Sequence, residues 1–407
     1  MLFKLLNDLK CPVFLAAHPA GLLTLAAWNV EWLFDGINDP LPVPQMDAAK
    51  VSSKIQAVAA VLQEIGADII HFAEVENCRI LNLVAERLNG SYNPLMISGT
   101  DTHLRQQVAL LTSVSPTASL TRSAERVELV AHGRGQGEST GLSKHLIADF
   151  SIAGRQLEIL GLHLKAQPHQ PDARLKREGQ ARIAQSIIRK ALEMGKDVIV
   201  LGDLNDFDSE VLGPSGEVPT SSVLRMLKDV DDDGRPDLWN ALSRIPVAER
   251  YSSWYDRNHD GRFQYGTERE LIDHVLVSNS LRNAVVDVGI LHRHDPTIVS
   301  DHWPLWIRIN LEALASATPY HSSAEETRPS SRKLMTSVPG RDIFIDFTAA
   351  WGVLAAGLLL VIWCSKRFGS GERAARHEKE QPCPLMWMLL PAFSSTMTTI
   401  VHSLDGG

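Results

Sequence analysis

The sequence predicts an α/β (α+β) domain of layered sheets with helices outside, and three observations carry that expectation. Short apolar strands alternate with longer amphipathic stretches between residues 23 and 312. Two of those stretches space their apolar residues three and four apart, as helices do. Polar residues recur where an apolar strand ends, the usual location of a site held on a rigid scaffold.

Taken in order, LLTLAAWNV (22–30) reads as the first strand and SSKIQAVAAVLQEIG (52–66) as the first helix. DIIHFAEV (68–75), VALLTSV (108–114), HLIADFSI (145–152) and LEILGLHL (157–164) read as strands. DARLKREGQARIAQSIIRKALEMG (172–195) reads as a second helix, and DVIVLGDL (197–204), LIDHVLVS (271–278) and PLWIRIN (304–310) as strands. No internal repeat is present.

With 407 residues and 44% hydrophobic composition, the chain can build a sizeable core and is not a disordered one. Forty basic against 48 acidic residues give a net charge of −8, so no chain-wide positive field gathers nucleic acid, and phosphate binding must be local. The four cysteines, at 11, 78, 364 and 383, form no CxxC pair, and only Cys78 lies in the core domain. A disulfide framework or thiolate zinc site is not expected there.

The expected organisation has five parts. Residues 1–22 form an N-terminal extension or a degenerate signal peptide, since Asp8 and Lys10 interrupt the apolar run. The core domain spans 23–312, followed by a Ser/Thr/Pro-rich linker over 313–346. Residues 347–364 are 18 uncharged positions, about the lower limit for crossing a hydrocarbon core, and read as a transmembrane helix. A tail over 365–407 follows. Its five basic residues (Lys366, Arg367, Arg373, Arg376, Lys379) against three before the span place the tail in the cytoplasm and the domain outside it.

The polar strand-end residues form a coherent chemical set. Asn29 and Glu31, and likewise Asp203 and Asn205, lie two apart, so each pair can share a face. Glu74 and Glu76 end another strand, His163 a further one, Asp273 lies within LIDHVLV, and Asp301 with His302 precede the last. Carboxylates and an amide without thiolates suit a hard cation, Mg²⁺ or Mn²⁺, more than zinc. Histidines among them fit phosphate ester hydrolysis, where the metal neutralises growing charge and an imidazole handles a proton.

WNVEW, AEVEN, GLHLK, GDLND, IDHVLVS and SDHWP, in this order, resemble the signature blocks of the endonuclease/exonuclease/phosphatase superfamily over residues 24 to 310. The resemblance implies a four-layer sandwich of two mixed sheets flanked by helices, and metal-dependent phosphoester cleavage. By motif it implies metal binding by Glu74, with Asn29, Asp301 and Glu31 nearby. His163 and His302 would face the scissile phosphate, and Asp273 would fix the His302 tautomer. Asp203 would act as base, His302 being second in line, and Asn205 would bond the phosphate. Ala73 and Glu76 depart from the blocks of duplex-binding members, where glutamine and arginine are common. His71 and His274 read as packing residues, and Trp28, Trp32 and Trp303 as core wedges.

Two loops, Asp229–Asp233 with Gly234 and Asp256–Asp260 with Gly261, show the DxDxDG spacing of calcium loops but end in Asn240 and Thr267 instead of glutamate. They read as weak structural Ca²⁺ sites or as plain acidic turns. The basic run Arg174, Lys176, Arg177, Arg182, Arg189 and Lys190 reads as a solvated helix face whose first turn could meet a phosphate strand. The expected activity is a monomeric, membrane-tethered, Mg²⁺- or Mn²⁺-dependent phosphodiesterase acting on nucleic acid. Lipid or inositol phosphate head groups are the alternative substrates, and a non-catalytic scaffold is the alternative class.

Overall fold

A computed structural model describes residues 21–317 apart from 41–42, 89–91, 102–103, 130–137 and 265. These residues fall in a compact unit spanning 1–329. The expected extension, most of the linker, the 347–364 span and the tail lie outside the described residues. Among the described residues no helix is long and apolar enough to cross a membrane.

Two large sheets carry the fold. The first consists of β1 (Leu22–Leu33), β2 (Ile69–Val75), β3 (Asn93–Met96), β4 (Gln107–Thr112), β14 (Val285–Ile290) and β15 (Leu305–Asn310), in the order β14-β15-β1-β2-β4-β3. The second consists of β7 (His145–Ile152), β8 (Arg155–His163), β9 (Asp197–Asp203), β10 (Leu238–Asn240) and β13 (Asp273–Ser278), in the order β10-β13-β9-β8-β7. Two short ribbons complete the strands: β5 (Arg126–Glu128) with β6 (Ser139–Gly141), and β11 (Ser253–Trp254) with β12 (Arg269–Glu270).

Strand alternation builds the layers. Leu23, Leu25 and Ala27 of β1 enter the core between the sheets, together with Phe150, Ile159, Ile199 and Val275 from the second sheet. Ala26, Trp28 and Val30 face the other way, onto helices α1 (Ala48–Ile65) and α2 (Cys78–Ala85). On the far side α3 (Pro171–Glu193) and α4 (Val223–Lys228) cover Leu160, Leu162, Val198 and Val200. Helix, sheet, sheet, helix is the four-layer arrangement expected. Each large apolar side chain so buried contributes about 1.5–3 kcal/mol relative to exposure.

The helix ends follow local chemistry. Asp47 accepts the Lys50 N–H and starts α1 four residues earlier than the apolar spacing alone indicates. Gly66 closes it in the left-handed region at φ 62°. Pro171 begins α3, where its missing N–H costs nothing. A last short helix, α5 (Leu311–Ser316), follows β15 and is capped by Asn310. Cys78, at the start of α2, is disulfide-bonded, which the cysteine spacing did not foretell.

One buried histidine packs against two glycines of the facing sheet. His71 of β2 has no exposed surface, and neither ring nitrogen has a hydrogen-bond partner among the described residues. Burial drives its pKa down to about 3, so the ring is neutral. It lies against Gly161 of β8 and Gly202 of β9, where an added Cβ would come within 2.4 Å and 2.8 Å of the ring. The glycines of GLHLK and GDLND are therefore the space into which this ring fits, and His71 is the packing residue expected.

Candidate active site

Strand register brings the site together before any side chain is considered. The parallel pairing of β8 with β9 sets His163 opposite Asp203, and the antiparallel pairing of β9 with β13 sets Asp273 on its other side. Across the sandwich, Asn29 pairs with Ala73, beside Glu74. A bridge from Ser253 to His302 delivers the loop ahead of β15 to the same end.

Irregular backbone then aims the ligands. Both β1 and β2 are bulged here, between Asn29 and Leu33 and between Ala73 and Val75. Glu31 (φ 43°), Trp32 (φ 54°), Glu74 (φ 65°) and Asn205 (φ 50°) sit in left-handed backbone that costs non-glycine residues free energy. Such strain concentrates where side chains must point at a function.

The expected residues converge. Asn29 donates its amide to Asp203 Oδ2 at 3.0 Å and to Glu74 Oε1 at 3.4 Å. His163 Nε2 lies 3.6 Å from Asp203 and 3.9 Å from Glu74. His302 Nδ1 meets Asp273 at 2.7 Å, while its Nε2 lies 3.9 Å from Asp203 and 3.8 Å from Asp301. Glu31 accepts the Asp301 N–H at 3.1 Å, and the Asn205 N–H donates to Asp203 Oδ1 at 2.9 Å. The Asn205 side-chain amide donates one N–H to the Leu164 carbonyl, which fixes its orientation, and its second N–H is left for another acceptor.

Electrostatics sorts the roles. Burial, then repulsion from Asp273, pushes the Asp203 carboxyl up to about 7. Burial opposes charge on His302, but Asp273, Asp301 and Asp203 outweigh it and hold the imidazolium well above the usual histidine range. His163 is the opposite case: burial, then the Lys144 charge, keeps its pKa well below that range. Glu74 is pushed up by burial against the pull of Lys144. The Asp301 carboxyl rises with desolvation in the cleft and with Glu31 and Glu74 nearby, though its side chain keeps 40% of its surface open and solvent damps the shift.

Several participants carried no signal in the sequence. Ser252 donates its hydroxyl to Asp273 at 2.8 Å and accepts the Asp273 N–H, fixing the carboxylate that holds His302. Lys54, on α1, donates to the Glu31 carbonyl and feels Glu31, Asp301 and Glu74 as favourable charges. Lys144 places a cation beside Glu74 and His163 and pairs with Asp101 at 3.2 Å. A lone lysine or serine on a strand or loop is not distinctive enough in spacing to be recognised as part of a site.

Other expectations change. Glu76 accepts the Asp35 N–H and faces Arg105 at 3.7 Å, in a separate cluster with Asp35 and Asp39. Arg177, fully buried, donates to Asp206 at 2.7 Å, and Arg189 donates to the Val230 carbonyl. These two arginines anchor the GDLND loop and the α4 end, and are not free to touch a phosphate strand. His274 bonds the Asp206 carbonyl and Asn240, as a packing residue should, and Trp28 and Trp303 are buried wedges.

The sequence matches the model of the Endonuclease/Exonuclease/phosphatase family over residues 26–302, and the chain belongs to that family. It is accordingly a metal-dependent phosphoester hydrolase. No relative among curated proteins matches it. Among solved structures, truncated TDP2 of Caenorhabditis elegans is similar at 18% identity over 71% of this chain and 97% of that one, with a TM-score of 0.44. An AP endonuclease from Archaeoglobus fulgidus is similar at 18% identity over 70% and 98%, TM-score 0.47. The 3'-5' exonuclease NExo of Neisseria meningitidis is similar at 16% identity over 71% and 100%, TM-score 0.47.

The donor set fits the divalent ion the family requires. Glu74, Glu31, Asp301 and the Asn29 amide all offer oxygen ligands, and the Asp301 carboxyl, raised by burial and by Glu31, Glu74 and Asp203 around it, marks negative charge that a dication would relieve. A different group also comes together in the site: ligand atoms of Asp203, Asp273 and His302 lie within 4.8 Å of one another. That closeness reflects the short bond between His302 and Asp273. Glu74 is spread instead between the Asn29 amide and the Trp32 N–H.

The Asp203 shift has a measurable consequence. Its folded pKa near 7 lies above the ordinary 3.8, so its stabilising contribution is complete below 3.8 and is lost as pH climbs through about 7. In chelator, the wild-type melting temperature is expected to fall across that window. Asp203→Asn should shrink the fall, and melts from pH 4 to pH 8 read the difference. An unchanged slope in the variant would remove the buried carboxyl as its source.

Proposed function

We propose that the protein is a Mg²⁺- or Mn²⁺-dependent phosphodiesterase that cleaves nucleic acid or oligonucleotides. Glu74, Glu31, Asp301 and Asn29 would hold the ion, which supplies charge neutralisation at the phosphoryl oxygens. Asp203 takes a proton from the attacking water, its carboxyl being poised near neutrality and set between His163 and His302. His302, held as an imidazolium by Asp273 and Ser252, donates to a phosphate oxygen. Neutral His163 donates from the other side, and Lys144 adds charge behind it.

The observation that carries the substrate class is a cavity of about 600 Å³ lined by Tyr251, Arg262, Phe263, His292, Arg293 and Trp303. It adjoins the site along the chain, since Tyr251 precedes Ser252 and Trp303 follows His302. Tyr251 and His292 stack at 3.8 Å, and Phe263 meets Trp303 at 5.2 Å. The half-buried Phe263 and His292 rings, backed by buried Tyr251 and Trp303, and the exposed Arg262 and Arg293 suit a nucleobase and its phosphate. Glu76 in place of a basic residue, with the net charge of −8, favours single strands or short oligonucleotides over tight duplex binding.

An extracytoplasmic, tethered setting is part of the proposal. The apolar stretch 347–364, the basic residues after it and the Cys78 disulfide, a bond of oxidising compartments, support it. The membrane stretch and the net acidity also favour a second reading, hydrolysis of lipid or inositol phosphate head groups. A panel of single-stranded DNA, RNA, dinucleotides and phospholipid head groups, each with Mg²⁺ or Mn²⁺, decides between them. Cleavage of the nucleotides is expected. Turnover of head groups alone would select the second reading, and no turnover of any phosphoester would end both.

A further inference from the structure

We propose that the loop Asp229–Asp237 is a structural calcium site, remote from the catalytic centre and independent of its ion. The loop links α4 to β10 with acidic residues at positions one, three, five and nine (Asp229, Asp231, Asp233, Asp237) and glycine at six (Gly234). Positions one, three, five and nine are where a calcium loop places side-chain ligands, and the sixth residue makes its turn. Gly234 makes that turn here at φ 85°.

Geometry agrees with the spacing. Ligand oxygens of Asp229, Asp231 and Asp237 lie within 4.8 Å of one another. Two oxygens sharing one calcium at about 2.4 Å can be no further apart than about 4.8 Å. Asp229 supplies a second, independent indication. It is only 7% exposed; its Oδ2 accepts the Gly234 N–H, yet its buried Oδ1 has no hydrogen-bond partner among the described residues. A bare carboxylate oxygen in that position is costly unless a cation takes it.

Position twelve explains itself as well. Asn240 is spent on Asp208, His274 and the Leu242 N–H, so it is not a ligand, and the closing carboxylate is Asp237 instead. Calcium fits better than magnesium because an irregular all-oxygen loop tolerates its looser geometry, whereas magnesium demands a near-ideal octahedron. The second loop of similar spacing differs. Both oxygens of its first residue, Asp256, are used internally by the Asp260 and Gly261 N–H groups, so no bare carboxylate oxygen is left for an ion.

The ion would clamp the end of the second sheet away from the chemistry. Gln185 and Arg189 of α3 bond the Asp229 and Val230 carbonyls, Asp237 Oδ2 accepts the Val230 N–H, and the Asp237 carbonyl accepts the Asn279 N–H after β13. The opposite end of β13 carries Asp273 into the active site. Calcium therefore ties α3, α4, β10 and β13 together without entering the reaction.

The test uses the full chain carrying Glu74→Gln, which silences the catalytic centre, and calcium chloride as the probe. Calorimetry is expected to find a saturable calcium site with Kd of about 10⁻⁵–10⁻³ M, and the melting temperature to rise by about 5 °C at a hundredfold excess over Kd. Asp231→Asn, an exposed change that leaves folding intact, should weaken binding at least tenfold, as should Asp229→Asn. Asp256→Asn should match the parent. Equal calcium shifts in the parent and in the two first-loop variants, or no saturable binding up to about 10 mM, would overturn the proposal.

Discussion

Asp203→Asn is expected to lower kcat/KM for phosphodiester cleavage by about 10³-fold, within the usual range for losing a positioned general base. The amide keeps the shape of the carboxylate and can still accept the Asn205 N–H, so the loss should come without unfolding, which circular dichroism verifies. In the proposed mechanism Asp203 carries this burden because the alternative base is already protonated. His302 faces Asp273, Asp301 and Asp203, and those charges hold its proton well above neutral pH. A base must give up its proton before the reaction, and Asp203, near 7, does so at physiological pH. The His302→Ala loss should not simply add to that of Asp203→Asn, because the two side chains lie 3.9 Å apart and act on one reacting phosphate. If Asp203→Asn kept more than a tenth of the activity while His302→Ala abolished it, the assignments would be exchanged.

Gly202→Ala should destabilise the fold by about 3–5 kcal/mol, from left-handed strain together with overpacking. Gly202 has φ 128°, and its Cβ would lie 2.1 Å from the Leu162 carbonyl oxygen and 2.8 Å from the His71 ring. The first neighbour is backbone of the adjacent strand and cannot swing away; the second is a ring enclosed between two sheets. With net stability of typical domains near 5–15 kcal/mol, the variant should melt far below wild type in urea or heat. A melting temperature within 2 °C of wild type would show that the sheets separate more easily than the packing around His71 indicates. Activity should fall with stability, since Asp203 is the next residue.

Much of this architecture was legible because it rests on periodicity. HLIADFSI is a strand over the very residues the alternation indicated, and the two long helices lie where their apolar spacing placed them. β14 escaped because it is an edge strand with Val286 and Asp287 exposed, so no buried alternation marks it. The ribbons β5–β6 and β11–β12 are two or three residues per strand, too short for any period to register. Among the site residues, those in motifs were legible, whereas Ser252, Lys54 and Lys144 became visible only through the contacts that pairing creates. The bulges that swing Glu31 and Glu74 into left-handed backbone were equally silent, since glutamate has no preference for that region. Arg177 misled for the reverse reason: it sits in a basic run, yet the helix turns it inward onto Asp206.

The central claim is that residues from both sheets form one centre whose chemistry depends on a hard divalent ion held by Glu74. Its most direct test is hydrolysis of a single-stranded oligonucleotide measured against magnesium concentration, for wild type and Glu74→Gln. Wild type should be inactive in chelator and recover saturably with magnesium, while Glu74→Gln should need at least tenfold more metal for half-maximal rate. Hydrolysis indifferent to chelator, or one magnesium dependence shared by both proteins, would contradict it.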